Sequence, residues 1–149
     1  MFAIILANSS ECRLYSFDKK HNDLALLKKL EHKESKMKIS ELMSDQQGRY
    51  QSDFGTQGNY EPRTNPRQEE VEFFMHEIAK EIKTARNHNQ FEKIIIFGLP
   101  QTNGLLNKLL DKQTQEHSVI INKDYIMFSD PDLIKYLREN WIDIVNDNL

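Results

Sequence analysis

Apolar and polar residues alternate along this chain in a way that changes period part-way through. Phe2-Ala-Ile-Ile-Leu-Ala7 is a continuous apolar run, the pattern of a short strand buried on both faces. Asn8-Ser-Ser-Glu11 is a turn cluster. Cys12 to Phe17 then alternates, with Cys12, Leu14 and Ser16 on one side and Arg13, Tyr15 and Phe17 on the other. A second polar turn, Asp18 to Asp23, leads to Leu24–Leu30, which suits a strand and also fits a helix. Three strands joined by two tight turns form an antiparallel meander. Beyond residue 66 the period becomes helical. Val71, Phe74, Met75, Ile78, Ile82 and Ala85 share one face of a helix over 67–88. Asn65 is placed to cap it, Pro66 to open it and Gln68 to complete a capping box. Lys93–Gly98 predicts a buried parallel strand, and Thr102 a helix cap with Leu105, Leu106, Leu109 and Leu110 inward. Ser118–Asn122 predicts another strand. Ser129-Asp-Pro-Asp132 opens a last helix that carries Leu133, Ile134, Leu137 and Trp141.

The predicted order is β-β-β-α-β-α-β-α. Because strand–helix–strand crossovers are right-handed, the later strands run parallel. The expectation is an α/β fold with one mixed sheet, three antiparallel strands followed by parallel ones and helices on both faces, in the order of the ribonuclease-H-like fold. Met37–Met43 fits a short helix on the sheet edge. Ser44–Pro66 contains no Ala, Val, Ile, Leu or Met, holds Gly48, Gly55 and Gly58, and has only Tyr50, Phe54 and Tyr60 as apolar surface. A loop this long inside a compact domain is usually functional or disordered.

At 149 residues the chain is expected to be a single domain over 1–149, large enough to hide roughly 70% of its unfolded surface. Its net charge of −3 argues against nucleic-acid binding through bulk charge but leaves room for a local basic patch. No run approaches the roughly 20 apolar residues of a membrane span. The apolar N-terminus lacks the basic region and cleavage site of a signal peptide. The single cysteine cannot form an internal disulfide. Together these make a cytoplasmic protein, with no membrane insertion, the expectation.

The candidate chemistry is sparse. Ribonuclease-H-like nucleases bind two metal ions through carboxylates on the first strand, the long helix and the fourth strand. Here the first strand runs into Asn8 and the fourth into Gly98-Leu99-Pro100, with no acid at either. Glu69, Glu70, Glu72 and Glu77 read as the solvated face of the helix. Cys12 sits inside a strand pattern and reads as a buried thiol. His76 reads as a half-exposed helix histidine, and Lys123-Asp124 as a surface pair. Trp141–Val145 is either a docking surface or the packed end of the last helix. No metal or cofactor site is expected, nor any nucleophile elbow or phosphate-binding glycine loop. In the 44–66 loop, Arg49 and Arg63 flank Tyr50, Phe54 and Tyr60. Arginines interleaved with aromatics suit phosphates and unstacked bases, and glycines let the backbone approach closely.

Several stretches together carry a family resemblance. They are Ala7-Asn-Ser-Ser-Glu-Cys-Arg-Leu-Tyr15, the Leu30–Arg49 segment with Leu-Glu-His-Lys-Glu-Ser-Lys and Glu-Leu-Met-Ser-Asp-Gln-Gln-Gly-Arg, Glu61-Pro62…Pro66, and Asn122-Lys-Asp124. In this ordered set the chain resembles the bacterial host attachment proteins along essentially its whole length. That family looks like a relative of the central domain of archaeal and eukaryotic peptide-chain release factors. In those factors a Gly-Gly-Gln loop between the third strand and a long helix reaches the peptidyl-tRNA ester. The corresponding loop here carries Gly55-Thr56-Gln57-Gly58, with Thr56 in place of the middle glycine. The resemblance implies a ribosome or tRNA partner bound through Arg49, Tyr50, Phe54, Gly55, Gln57, Gly58, Tyr60 and Arg63, with Gln57 the only candidate for catalysis. The alternative it implies is a non-enzymatic protein-interaction module that acts in attachment, directly or through regulation.

Overall fold

A computed structural model of the chain describes residues 1–32 and 66–147. The expected Met37–Met43 helix, the Asn65 cap and almost all of the 44–66 loop lie outside the described residues.

The five strands form one sheet in the order β3-β2-β1-β4-β5. They are β1 (Phe2–Ala7), β2 (Glu11–Asp18), β3 (Asp23–Glu31), β4 (Ile94–Phe97) and β5 (Ser118–Ile121). β1 pairs antiparallel with β2 and parallel with β4, β2 pairs antiparallel with β3, and β4 pairs parallel with β5. The helices are α1 (Pro66–His88), α2 (Pro100–Leu109), the single-turn α3 (Lys112–Glu116) and α4 (Asp130–Val145). The mixed sheet and the order of its elements are as the sequence predicts, with α3 added.

β1 and β4 lie inside the sheet with helices over both faces, and all their side chains except the half-buried Phe2 are buried. Ala3, Ile5, Ile94 and Ile96 face the core formed by Phe74, Met75, Ile78 and Ile82 of α1 with Leu106 of α2. Ile4, Leu6, Ile95 and Phe97 face the opposite core, against Leu133, Leu137 and Ile144 of α4. β2 divides in the expected way, Cys12 and Leu14 toward the first core and Tyr15 and Phe17 toward the second. Trp141 closes the far end of the α4 core, with its ring centroid 4.7 Å from Phe2 and 5.4 Å from Phe17. The Trp141–Val145 stretch is therefore packed through Trp141 and Ile144, while Ile142 faces outward.

β3 is the outermost of the described strands, and most of its side chains are exposed. Its pairing with β2 shifts between Leu14 and Tyr15, which face Lys28 and Leu26 and leave Leu27 as an extra residue. This bulge breaks the alternation of β3 and accounts for the helix-like look of Leu24–Leu30 in sequence. The β2–β3 turn places Asn22 at φ 52°, a left-handed conformation that Asn tolerates better than most residues.

The predicted cap of α2 needs correction. The helix begins at Pro100, the flanking residue is Leu99, and no side chain caps it. Thr102 is buried within the first turn. Pro100 decides the start, because its fixed φ suits the first helical position and it has no N–H to satisfy. The last helix does start as expected, with the Ser129 Oγ accepting from the Asp132 N–H at 3.3 Å.

Adjacent phenylalanines on α1 give a direct check of this packing. Phe74 is fully buried and Phe73 is 58% exposed. Phe74→Ala is expected to cost about 3–5 kcal/mol. Phe73→Ala should stay within about 0.5 kcal/mol of the wild type. Urea denaturation measures both.

Candidate functional site

Open α/β sheets bind ligands outside the carboxyl ends of their parallel strands. Two antiparallel steps bring β3 back to the direction of β1, so β1, β3, β4 and β5 all end at one edge of this sheet. Asn8, His32, Gly98 and Asn122 stand at those exits.

Each exit is held by a specific polar contact. The Asn8 Oδ1 accepts from the backbone N–H of Ser10 at 2.8 Å and of Glu11 at 2.7 Å. That closes the β1–β2 turn through a side chain. His32 is buried and donates its backbone N–H to the Ser10 carbonyl at 2.9 Å. Its ring stacks on Phe74 with centroids 5.2 Å apart, and its Nε2 lies 3.0 Å from the Glu70 Oε2. The end of β3, the β1–β2 turn and the first turns of α1 are thus fastened to one another. The chain leaves the described residues at His32 and re-enters them at Pro66, both at this edge.

Asn103 fastens the other half. It is 2% exposed, and its Nδ2 donates to the Gly98 carbonyl at 2.9 Å, the Ile121 carbonyl at 3.2 Å and the Asn122 Oδ1 at 2.9 Å. One amide from α2 thereby joins the ends of β4 and β5. The approach is so close that a Cβ on Gly98 would lie 2.6 Å from the Asn103 Oδ1 and 2.9 Å from the Ala7 carbonyl.

The β5–α4 loop is held by Arg13. Its Nη1 donates to the Tyr15 hydroxyl at 3.1 Å and the Phe128 carbonyl at 3.2 Å, its Nη2 donates to the Ile126 carbonyl, and its Nε lies 3.2 Å from the Glu11 Oε2. The Tyr15 hydroxyl in turn donates to the Asp130 Oδ1 at 3.0 Å. Burial, reinforced by that bond, raises the Tyr15 pKa. Beneath the loop, Phe97, Tyr125, Phe128 and Tyr136 form an aromatic cluster, with Tyr125 and Phe128 stacked at 4.6 Å. Burial and the neighbouring Tyr125 raise the Tyr136 pKa as well. The loop tips carry exposed apolar side chains, Leu99 at 51% and Met127 at 91%.

These groups make a rigid platform. Asn8, Asn103 and Arg13 bond both to backbone groups and to neighbouring side chains, and the buried Asn103 Oδ1 has no hydrogen-bond partner among the described residues. Cys12 is buried, and desolvation, aided by Glu11 and Glu81, pushes its thiol up to about 12, which leaves it protonated and unreactive at neutral pH. Among the described residues, no three of His, Cys, Asp and Glu gather where they could hold a metal ion. His76, Lys123 and Asp124 are exposed, and Asp124 accepts the Ile126 N–H at 3.1 Å. Glu70, read from sequence as part of a solvated face, instead pairs with His32. Arg49, Tyr50, Phe54, Gly55, Gln57, Gly58, Tyr60 and Arg63 all lie outside the described residues.

The family model described as "Protein required for attachment to host cells" matches residues 3–137. The chain belongs to this family. Among curated proteins, no sequence matches this host attachment chain. Among solved structures, it is similar to the crystal structure of an archaeal translation termination factor, with a TM-score of 0.50 and 10% identity over 99% of this chain and 39% of the other. An archaeal protein is similar at a TM-score of 0.48 and 10% identity, over 99% and 38%. The host attachment chain thus spans about two-fifths of the length of both neighbours. At such low identity the likeness to the termination factor is one of fold.

Two glycines near the edge should respond in opposite ways to alanine. Gly98→Ala drives a Cβ into Asn103 and Ala7 and is expected to cost about 1–3 kcal/mol. Gly104 lies inside α2 with nothing within 4 Å of an added Cβ. Gly104→Ala should therefore stabilise by about 0.5–1 kcal/mol. Denaturant midpoints decide both. For Cys12, the folded protein is expected to be inert to a thiol reagent such as dithionitrobenzoate at pH 8 and to react fully once unfolded in guanidinium. Rapid reaction of the folded protein would contradict the burial.

Proposed function

We propose that this host attachment family chain is a release-factor-like module that associates with the ribosome or its RNA through residues 44–66. The observation that carries the reading is the position of the flanks. His32 and the first turns of α1 are fastened to the β1–β2 turn at the carboxyl edge of the sheet, so the segment between them is tethered where open sheets receive ligands. The composition of that segment supports RNA as the ligand. Arg49 and Arg63 supply charge for phosphates, and Tyr50, Phe54 and Tyr60 supply faces for unstacked bases. The fold likeness to a translation termination factor supports the same choice. In this reading Gln57 is a contact residue, and the module binds without cleaving. Binding to ribosomes places the protein in the cytoplasm, where its part in attachment is indirect.

A second reading is favoured by the exposed Leu99 and Met127 at the same edge. There the platform takes a protein partner, as the family description of attachment to host cells suggests.

Co-sedimentation with ribosomes separates the two. The wild type is expected to travel with ribosomes at low salt and to dissociate at high salt, because neutralised phosphates release counterions. The Arg49→Ala, Gln57→Ala, Arg63→Ala variant should stay at the top of the gradient. If wild type and variant both stay at the top, the ribosome reading fails and the protein partner is preferred.

A further inference from the structure

The charge of −3 is not spread evenly over the surface. Along α1, His76, Lys80, Lys83 and Arg86 recur at intervals of four, three and three residues. That spacing makes a row roughly 15 Å long. The row borders a groove of about 290 Å³ between α1 and the α2–α3 corner, lined by His76, Lys80, Lys83 and Asp111 over a floor that includes Leu109 and Thr114. A smaller hollow of about 120 Å³ continues it past His76 to Lys108 of α2. Helix-terminus electrostatics favours Arg86 in the last turn of α1, but His76 and Lys80 lie well before that turn. Among the described residues, Lys80, Lys83 and Lys108 take part in no ion pair. Two acids border the groove, Asp111 and Glu72. The Asp111 carboxylate is already committed. It caps α3 by accepting the Thr114 N–H at 2.7 Å, and that bond, with the nearby Arg86 and Lys83, holds it below the usual carboxylate range.

We infer that the α1–α2 groove is a track for the sugar–phosphate backbone of RNA. Unpaired lysines on flexible stems suit phosphates, which position a nucleic acid without reading its sequence. Among the described residues no Phe, Tyr or Trp lines the groove, whose ring is the His76 imidazole. It therefore lacks the Trp and Tyr anchors that dominate protein–protein hot spots. The groove starts about two turns into α1, whose first turns adjoin the carboxyl edge. This inference rests on the RNA reading above and adds to it a surface on the folded platform.

The test is fluorescence anisotropy of fluorescein-labelled tRNA with the full chain at several salt concentrations. Lys80→Ala, Lys83→Ala, Lys108→Ala is expected to lower the slope of log K against log salt by about 2–3, close to one unit per lost phosphate contact. The matching triple Arg variant should keep the wild-type slope. All three lysines are exposed, so the Ala variant is expected to unfold at the wild-type temperature. Arg49→Ala, Arg63→Ala is measured in parallel. If this loop variant loses binding while the triple Ala variant keeps the wild-type slope, the groove is overturned and the loop reading stands. If the slope falls while the loop variant binds as wild type, the groove stands and the role of 44–66 is overturned. No binding by the wild type at about 50 mM salt, where phosphate contacts are strong, overturns both.

Discussion

β1 and β4 are enclosed on every side. Each is flanked by strands on both edges and covered by helices on both faces, so every side chain they carry must be apolar and every backbone group must bond within the sheet. The run Phe2–Ala7 and the run Ile94–Phe97 meet this demand. The rest of the architecture follows from it. Helices have to cover both faces, which sends α1 and α2 to one side and α4 to the other. Each helix that precedes or follows a parallel strand runs back across the sheet, so the starts of α2 and α4 and the exits of β1, β4 and β5 collect at the carboxyl edge. Where the enclosed strands end, their last carbonyls still need donors. Asn103 supplies one amide to the Gly98 carbonyl just past β4 and to the Ile121 carbonyl that ends the neighbouring β5.

The edge is rigid because long-range polar contacts hold it. Arg13 reaches from β2 to the loop before α4, a separation of 113 to 115 residues. His32 and Glu70 meet across the segment that joins β3 to α1. The Cys12 thiol at this edge is buried and protonated. In the proposed function the contacts to a ligand come from residues 44–66 and from the lysines of the α1–α2 groove, while the edge fixes where those elements start.

The parts legible in the sequence were those governed by local periodicity. The two-sided apolar run of β1, the 23-residue α1 with its single apolar stripe, and the Ser129 cap of α4 needed no knowledge of tertiary contacts. The start of α2 was misplaced because Thr102 has a capping side chain, whereas the fixed φ of Pro100 acts earlier in the chain. The β3 bulge blurred the strand pattern at Leu26 and Leu27. The Arg13 clamp and the His32–Glu70 pair left no local trace, since each joins residues far apart in sequence. Asn103 left a faint one. Asn103 and Gly104 are two poor helix formers in succession, and such a pair inside an apolar helix points to a role beyond helix formation. The basic groove was hidden because its charges come from two helices and are outweighed by acids elsewhere in the chain.

In the proposed function residues 44–66 meet RNA. Ultraviolet crosslinking of the protein to ribosomes, followed by mapping of the crosslinked peptides, tests it most directly. Crosslinks are expected in peptides that contain Tyr50, Phe54 or Tyr60. Crosslinks confined to α4 or β3, or none above the unirradiated background, would contradict it.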